Sequence, residues 1–325
     1  MKKILAPSYL ALLAAFGSAA AQELSPSLIE GANISSEQLD RPVESHPLPN
    51  PAIIRLQILL DRAGASPGVI DGHDGANLRK AIKGFEAMHG LAVDGKIDPE
   101  MLSRLNDNKQ VVGAYKIEPD DLADLVETIP EDYALQAKMT RLGYISVEEK
   151  LAERFHMDIA LLKALNPGAA FAAGNTVTVA VVGAPRTGTV ERIEARRGGG
   201  EVIALAKDGS VIATYPATIG SEDNPSPTGH HKINGVARNP KYEYDPKTNF
   251  QQGKNTTKLD LPSGPNNPVG TVWIDLSEPT YGIHGTPEPN KIDKAGSHGC
   301  IRLTNWDAEE LASMVKPGVE VDFVR

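Results

Sequence analysis

A single cysteine, Cys300, in a chain of 325 residues sets the first limit on how this protein folds. The N-terminus reads as an export signal. Lys2 and Lys3 precede an apolar stretch from about Leu10 to Phe16, and Ala19-Ala20-Ala21 before Gln22 forms a small-residue cleavage site. Small exported domains often lean on disulfides, and none can form within this chain. Each domain must therefore hold together by apolar burial alone. With residues 1–21 removed, the remaining length exceeds what one compact core usually accommodates, so two or three domains are expected.

The apolar stretch falls short of the roughly 20 residues that a spanning helix needs, so no membrane anchor is expected. After loss of the signal, 31 basic and 42 acidic side chains leave a net charge of −11. That balance argues against nucleic acid as a partner, because phosphate binding needs a basic face. The expected location is outside the cytoplasm, in the periplasm or cell wall.

Residues 22–50 are polar and proline-bearing, and read as a linker or exposed arm. Helical spacing begins at Pro51 and runs to Gly64 through Ile54, Leu56, Ile58, Leu59 and Leu60. A second helix fits Asn77 to His89, and a third starts at Asp98-Pro99, where Asp can cap and Pro can occupy the first turn. Two Asp-Gly turns, Ile70-Asp71-Gly72 and Val93-Asp94-Gly95, join them. With Leu56-Gln57, Phe85 and Gly90-Leu91, this pattern over 51–106 resembles the three-helix peptidoglycan-binding domain of cell-wall enzymes.

Residues 107–135 are acidic, weakly patterned and expected to be a linker. Over 136–183, Ser146 and Glu149 suggest a capping box, and Asp158 reopens a helix that Asn166-Pro167-Gly168 stops. A β-branched strand then starts at Thr176. Helix, helix, Asn-Pro, strand resembles a diverged LysM-like glycan-binding segment, departing from that family where its usual first strand would stand.

From residue 190 to 325 short β-strands take over, including a hairpin about Asp208-Gly209 and a strand at Val272-Trp273-Ile274-Asp275-Leu276. Only Asp307 to Met314 reads as helix. The fold class is therefore multidomain α+β: a helical N-terminal part, a small α/β segment and a mainly-β C-terminal domain.

Cysteine catalysis needs a thiolate, a base to generate it and donors for an oxyanion. Cys300 is the candidate nucleophile. His284, sixteen residues upstream, is the candidate base, and the Gly285 carbonyl can accept its second ring proton. The His298-Gly299-Cys300 turn can aim successive N–H groups at one point, with Gly299 permitting the backbone angles.

His284-Gly285-Thr286 followed by Ser297-His298-Gly299-Cys300-Ile301-Arg302-Leu303 resembles the signature of YkuD-type L,D-transpeptidases. Pro225-Ser226-Pro227-Thr228-Gly229 resembles another family segment, with serine where threonine is usual. The resemblance implies acyl transfer through a thioester on Cys300, with His284 moving protons and His298, Gly299 and Cys300 lining the oxyanion site. D-Alanine would leave a tetrapeptide stem, and the amine of a second stem would take the acyl group as a 3→3 cross-link.

Stem peptides and glycan are the implied partners, carbapenem-type β-lactams the implied inhibitors, and no metal or nucleotide is required. Ser297, Thr286, Gly285 and Arg302 are candidate substrate contacts. Arg302 either meets a substrate carboxylate or pairs with a structural acid such as Asp307. A carboxypeptidase or endopeptidase, a transferase joining protein to wall, and a non-catalytic wall-binding protein stay open. So does a metallopeptidase, although in His230-His231 neighbouring strand residues face opposite ways.

Overall fold

A computed structural model describes residues 24–36, 48–221, 223–248 and 250–324. The export signal lies outside the described residues. Elements in chain order are α1 (Pro26–Glu30), α2 (Pro51–Arg62), α3 (Ala76–Met88), α4 (Pro99–Leu105), β1 (Val112–Lys116), α5 (Tyr133–Gln136), α6 (Val147–Arg154), α7 (Ile159–Leu165) and β2 (Thr176–Ala180). The C-terminal part adds β3 (Arg192–Arg196), β4 (Glu201–Leu205), β5 (Val211–Pro216), β6 (Thr218–Ile219), β7 (Gly229–Arg238), β8 (Tyr242–Tyr244) and β9 (Leu259–Leu261). It ends with β10 (Val272–Leu276), β11 (Gly282–His284), β12 (Ile301–Arg302), α8 (Asn305–Met314) and β13 (Glu320–Val324). No helix among the described residues is long and apolar enough to cross a membrane.

The helix ends follow from local chemistry. Asn50, Asp98, Ser146 and Asp158 each accept a first-turn N–H through the side chain. Glu149 does not complete a reciprocal capping box, because its carboxylate accepts from the Ile145 N–H instead. In the first Asp-Gly turn, the buried Gln57 amide receives the N–H groups of Asp71 and Gly72 and donates to the Asp71 carboxylate. Gly72 takes φ +75° there, a conformation that costs an L side chain and not glycine.

The two stretches expected to be linkers are partly built into the fold. Helix α1 buries Ile29, and the Glu30 carboxylate accepts from the N–H groups of Val111 and Val112. Residues 112–116, inside the expected linker of 107–135, form β1 and pair antiparallel with β2. The α/β segment is thus a β–α–α–β unit whose first strand lies far upstream, with 117–145 inserted before α6. Apolar side chains from α1 through β2 share one core, so the helical part and this unit are a single packed body.

The C-terminal part is a nine-stranded sheet in the order β5-β4-β3-β13-β7-β10-β11-β12-β6. The long β7 bridges its halves, pairing through 229–232 with β13 and through 233–238 with β10. Helix α8 packs on the sheet at β10 and β11. A second layer, the β8–β9 hairpin, shares a small apolar cluster with Leu142, Tyr133 and Ile129 of the insertion. The N-terminal body docks on the edge strand β5, where Ser66 donates its N–H to the Thr214 carbonyl and Thr214 donates to that of Gly64. Gly84 faces Thr214 so closely that a side chain would not fit.

Candidate active site

The parallel pair β11–β12 sets the frame. Ile283 lies opposite Ile301 and His284 opposite Arg302. Side chains alternate along a strand, so His284, Cys300 and Arg302 emerge on one face while Ile283 and Ile301 enter the core. They share a cleft of about 640 Å³ with His298, Tyr133 and Phe250.

His284 is buried, and its Nδ1 lies 2.6 Å from the Gly285 carbonyl oxygen. Nδ1 therefore carries the hydrogen, leaving the Nε2 lone pair for the substrate side. Burial, and then the Arg302 guanidinium, push this imidazole down to about 3 against the pull of the Gly285 carbonyl. Cys300 keeps part of its surface in the cleft, yet the packing about its sulfur pushes the thiol up, opposed by the Gly282 N–H and by Arg302. Both groups are thus held toward their neutral forms, a thiol and an imidazole in one cleft.

The turn before β12 is held from behind. The Ser226 hydroxyl donates to the Gly299 carbonyl at 2.7 Å, and Ser297 donates to that of Cys300 at 2.6 Å while accepting the Gly220 N–H. With those carbonyls tied back, the N–H groups of His298, Gly299 and Cys300 donate to no partner among the described residues. Gly299 has φ +106°, and a Cβ there would lie 2.6 Å from the Tyr281 ring. Glycine is required twice over, by backbone angle and by space. Thr280, also lining the cleft, holds an uncommon φ of +73° and offers its carbonyl to the Cys300 sulfur at 3.8 Å.

The structure redistributes roles among the expected substrate contacts. Ser297 shapes the turn, since its hydroxyl already has a donor and an acceptor. Thr286 is buried and receives the Glu288 N–H. Gly285 sits behind His284 against the Asn305 amide and does not line the cleft. Arg302 does line it, and makes no ion pair with Asp307, which lies at the domain interface. His230 meets Asp322 and His231 meets the Thr228 carbonyl, and no group of three metal-binding side chains occurs among the described residues.

Three aromatics also border the site. Phe250 stacks on His298 with centroids 3.9 Å apart, Trp273 stacks on His284 at 5.6 Å, and Tyr133 packs edge-on against Phe250. Behind His284, Asn305 accepts the Thr271 N–H and donates to half-buried Glu153 of α6. Burial pushes Glu153 up to about 7 despite its bonds to Tyr144 and Asn305.

A neutral imidazole, a thiol and unpartnered N–H groups thus share a single cleft. Residues 192–322 match the family model of the YkuD L,D-transpeptidase catalytic domain. Residues 49–105 match a peptidoglycan-binding domain family whose description carries that role provisionally. Among relatives, a Bacillus subtilis (strain 168) protein provisionally named L,D-transpeptidase YkuD is 32% identical over 177 residues, 54% of this chain and 92% of that one. A counterpart from Bacillus licheniformis is 34% identical over 38% of this chain and 60% of its own length. A solved L,D-transpeptidase from Mycobacterium smegmatis superposes with a TM-score of 0.34 at 20% identity, covering 42% of this chain and 59% of that one. L,D-transpeptidase 3 from Mycobacterium tuberculosis, solved with a faropenem-derived adduct, gives 0.34 at 15%, covering 46% and 68%. The chain belongs to the YkuD family of L,D-transpeptidases, and it is an L,D-transpeptidase enzyme with a peptidoglycan-binding domain ahead of its catalytic domain.

Proposed function

We propose that this chain is exported to the periplasm or cell wall and forms 3→3 cross-links between peptidoglycan stems, with Cys300 as nucleophile. The observation that carries the reading is the placement of His284 and Cys300 on one face of β11–β12, beside a turn whose N–H groups are free. The Cys300 sulfur attacks the carbonyl carbon of the third stem residue as its proton passes to His284 Nε2. The carbonyl oxygen becomes an oxyanion, accepted by the turn's N–H groups. Collapse breaks the C–N bond, His284 protonates the departing D-alanine amine, and a thioester remains. The side-chain amine of a second stem then attacks, loses a proton to His284 and expels the Cys300 sulfur, which takes the proton back.

The same machinery acts on any activated amide that fits the cleft, so carbapenem-type β-lactams are expected to acylate Cys300. The peptidoglycan-binding body, together with the β–α–α–β unit as a LysM-like glycan contact, holds the enzyme on its polymeric substrate. Incubating the mature chain with disaccharide-tetrapeptides, with and without Cys300→Ala, and weighing the products by mass spectrometry tests this. Dimers lost in the variant are expected. Tripeptide alone would move the reading to a carboxypeptidase, and unchanged substrate would end it.

A further inference from the structure

Arg302 is a cation in search of an anion. Its Nε is buried with no hydrogen-bond partner, and the side chain makes no ion pair among the described residues. The acid whose charge acts on it is Glu288, whose carboxylate is already engaged by Lys291 at 2.5 Å. An uncompensated guanidinium in a half-closed cleft is costly unless a ligand supplies the missing charge. The alternation along β12 puts it on the same face as the Cys300 thiol, two residues away.

The roof over this arginine comes from outside the catalytic domain. Tyr133 begins α5, in the insertion between β1 and α6, and it packs edge-on against Tyr242, Tyr244 and Phe250. Its ring lies close enough to Arg302 for the guanidinium charge to act on the phenol, which burial nonetheless pushes up to about 12. The hydroxyl therefore stays protonated, and it meets no partner among the described residues. The segment is pinned in place: Gln252 accepts the Tyr133 N–H, and the Asn255 amide donates to the Asp132 carboxylate. Two unsatisfied donors, one charged and one neutral, thus line the same cleft within reach of each other's charge.

We propose that Arg302 and Tyr133 form a subsite for a carboxylate of the stem peptide, completed by the N-terminal body rather than by the catalytic domain alone. Guanidinium and carboxylate match in shape and charge, and the phenol supplies a further hydrogen bond. The inference rests on the stem-peptide reading above and deepens it. The carboxylate comes either from the C-terminus of the residue that leaves or from the side chain of the third residue, and amidation separates the two.

The experiment uses the full chain carrying Cys300→Ala, so that binding is read without turnover. Calorimetry compares a tetrapeptide with both carboxylates free, one amidated at its C-terminus and one amidated on the third side chain. Amidating the recognised carboxylate should weaken binding about 10- to 100-fold, the span of a hydrogen bond to a charged group. Adding Arg302→Gln should make all three peptides bind alike, while Arg302→Lys keeps part of the discrimination. Tyr133→Phe should cost several-fold on the free-carboxylate peptide and little on the corresponding amide.

Equal binding of all three peptides to the Arg302-containing chain overturns the subsite. So does a loss in Arg302→Gln that is the same for every peptide. Selective binding without dimer or tripeptide from the Cys300 enzyme would keep the subsite and sink the transfer reading. Absence of any binding would sink the subsite directly.

Discussion

Two histidines of this protein are withdrawn from bulk water and answer in opposite ways. His284, at the catalytic end, meets only a neutral carbonyl and a nearby guanidinium, and is held far below its ordinary range. His156, at the docking face of the N-terminal body, lies 3.0 Å from the Asp61 carboxylate and stacks on Trp306. Its burial acts downward, but Asp61, Asp307 and Glu310 outweigh that and raise it. Desolvation has the same sign at both sites, and the charge of the neighbours decides the outcome. One imidazole is held toward its neutral form, while the other is pushed toward its charged form between Asp61 and Trp306.

The sharpest way to break this contrast is at the catalytic end. Cys300→Ala should abolish product formation while leaving the melting temperature nearly unchanged. His284→Asn should lower kcat/KM by about 10²–10⁴-fold, the ordinary worth of a positioned acid–base. Because His284 titrates only near 3, kcat/KM should show no acid limb near 6.5 attributable to it. A pH profile bending there, and straightening in His284→Asn, would overturn the neutral-base assignment.

At the docking face the sign runs the other way. Asp307 is pushed up to about 8 from its ordinary 3.8 by burial and by Asp61. Between those values the unfolded chain ionises while the folded one resists, so stability falls as pH rises. His156, raised above 6.5, contributes fully below that value and loses its contribution as pH climbs through its folded pKa. Docking should therefore loosen from mildly acid to mildly alkaline pH, with Tm dropping by roughly 2–4 °C per kcal/mol lost. Asp61→Asn should lower the His156 pKa, read by NMR titration, and flatten the His156 share of that slope. The smallest effect is expected from Tyr215→Phe, which removes one hydrogen bond to Glu310 at about 1 kcal/mol. That loss should show in thermal unfolding and leave kcat/KM alone.

The residues that meet in the cleft were legible in sequence because the segments that carry them are local. The Ser297–Leu303 run, with glycine before the cysteine, encodes a turn and a strand that lie side by side with His284. The N-terminal helices were legible through their spacing and caps, Asp98 and Asp158 among them. Strand β1 was not, because its partner β2 lies some sixty residues downstream and nothing in Val112–Lys116 announces it. Tyr133 was hidden for the same reason. Its surroundings are acidic and aperiodic, and its position is dictated by Tyr242, Tyr244 and Phe250, which contact it only in the fold. Glu153 reads as an ordinary helix residue and Asn305 falls just ahead of the expected Asp307–Met314 helix, and their pairing exists only once the two bodies meet.

Strand β13 is the last strand in the chain, yet it sits in the middle of the sheet, parallel to β3 and antiparallel to β7. During synthesis the N-terminal body can complete its own core and wait. The two sheet halves have no seam until residues 320–324 have left the ribosome, and β7 cannot be held on both sides before then. Cys300 and His284 are made earlier, on the paired strands β11 and β12, which reach that seam only through β10 and β7. A nascent chain therefore carries its thiol before the sheet that will surround it has closed.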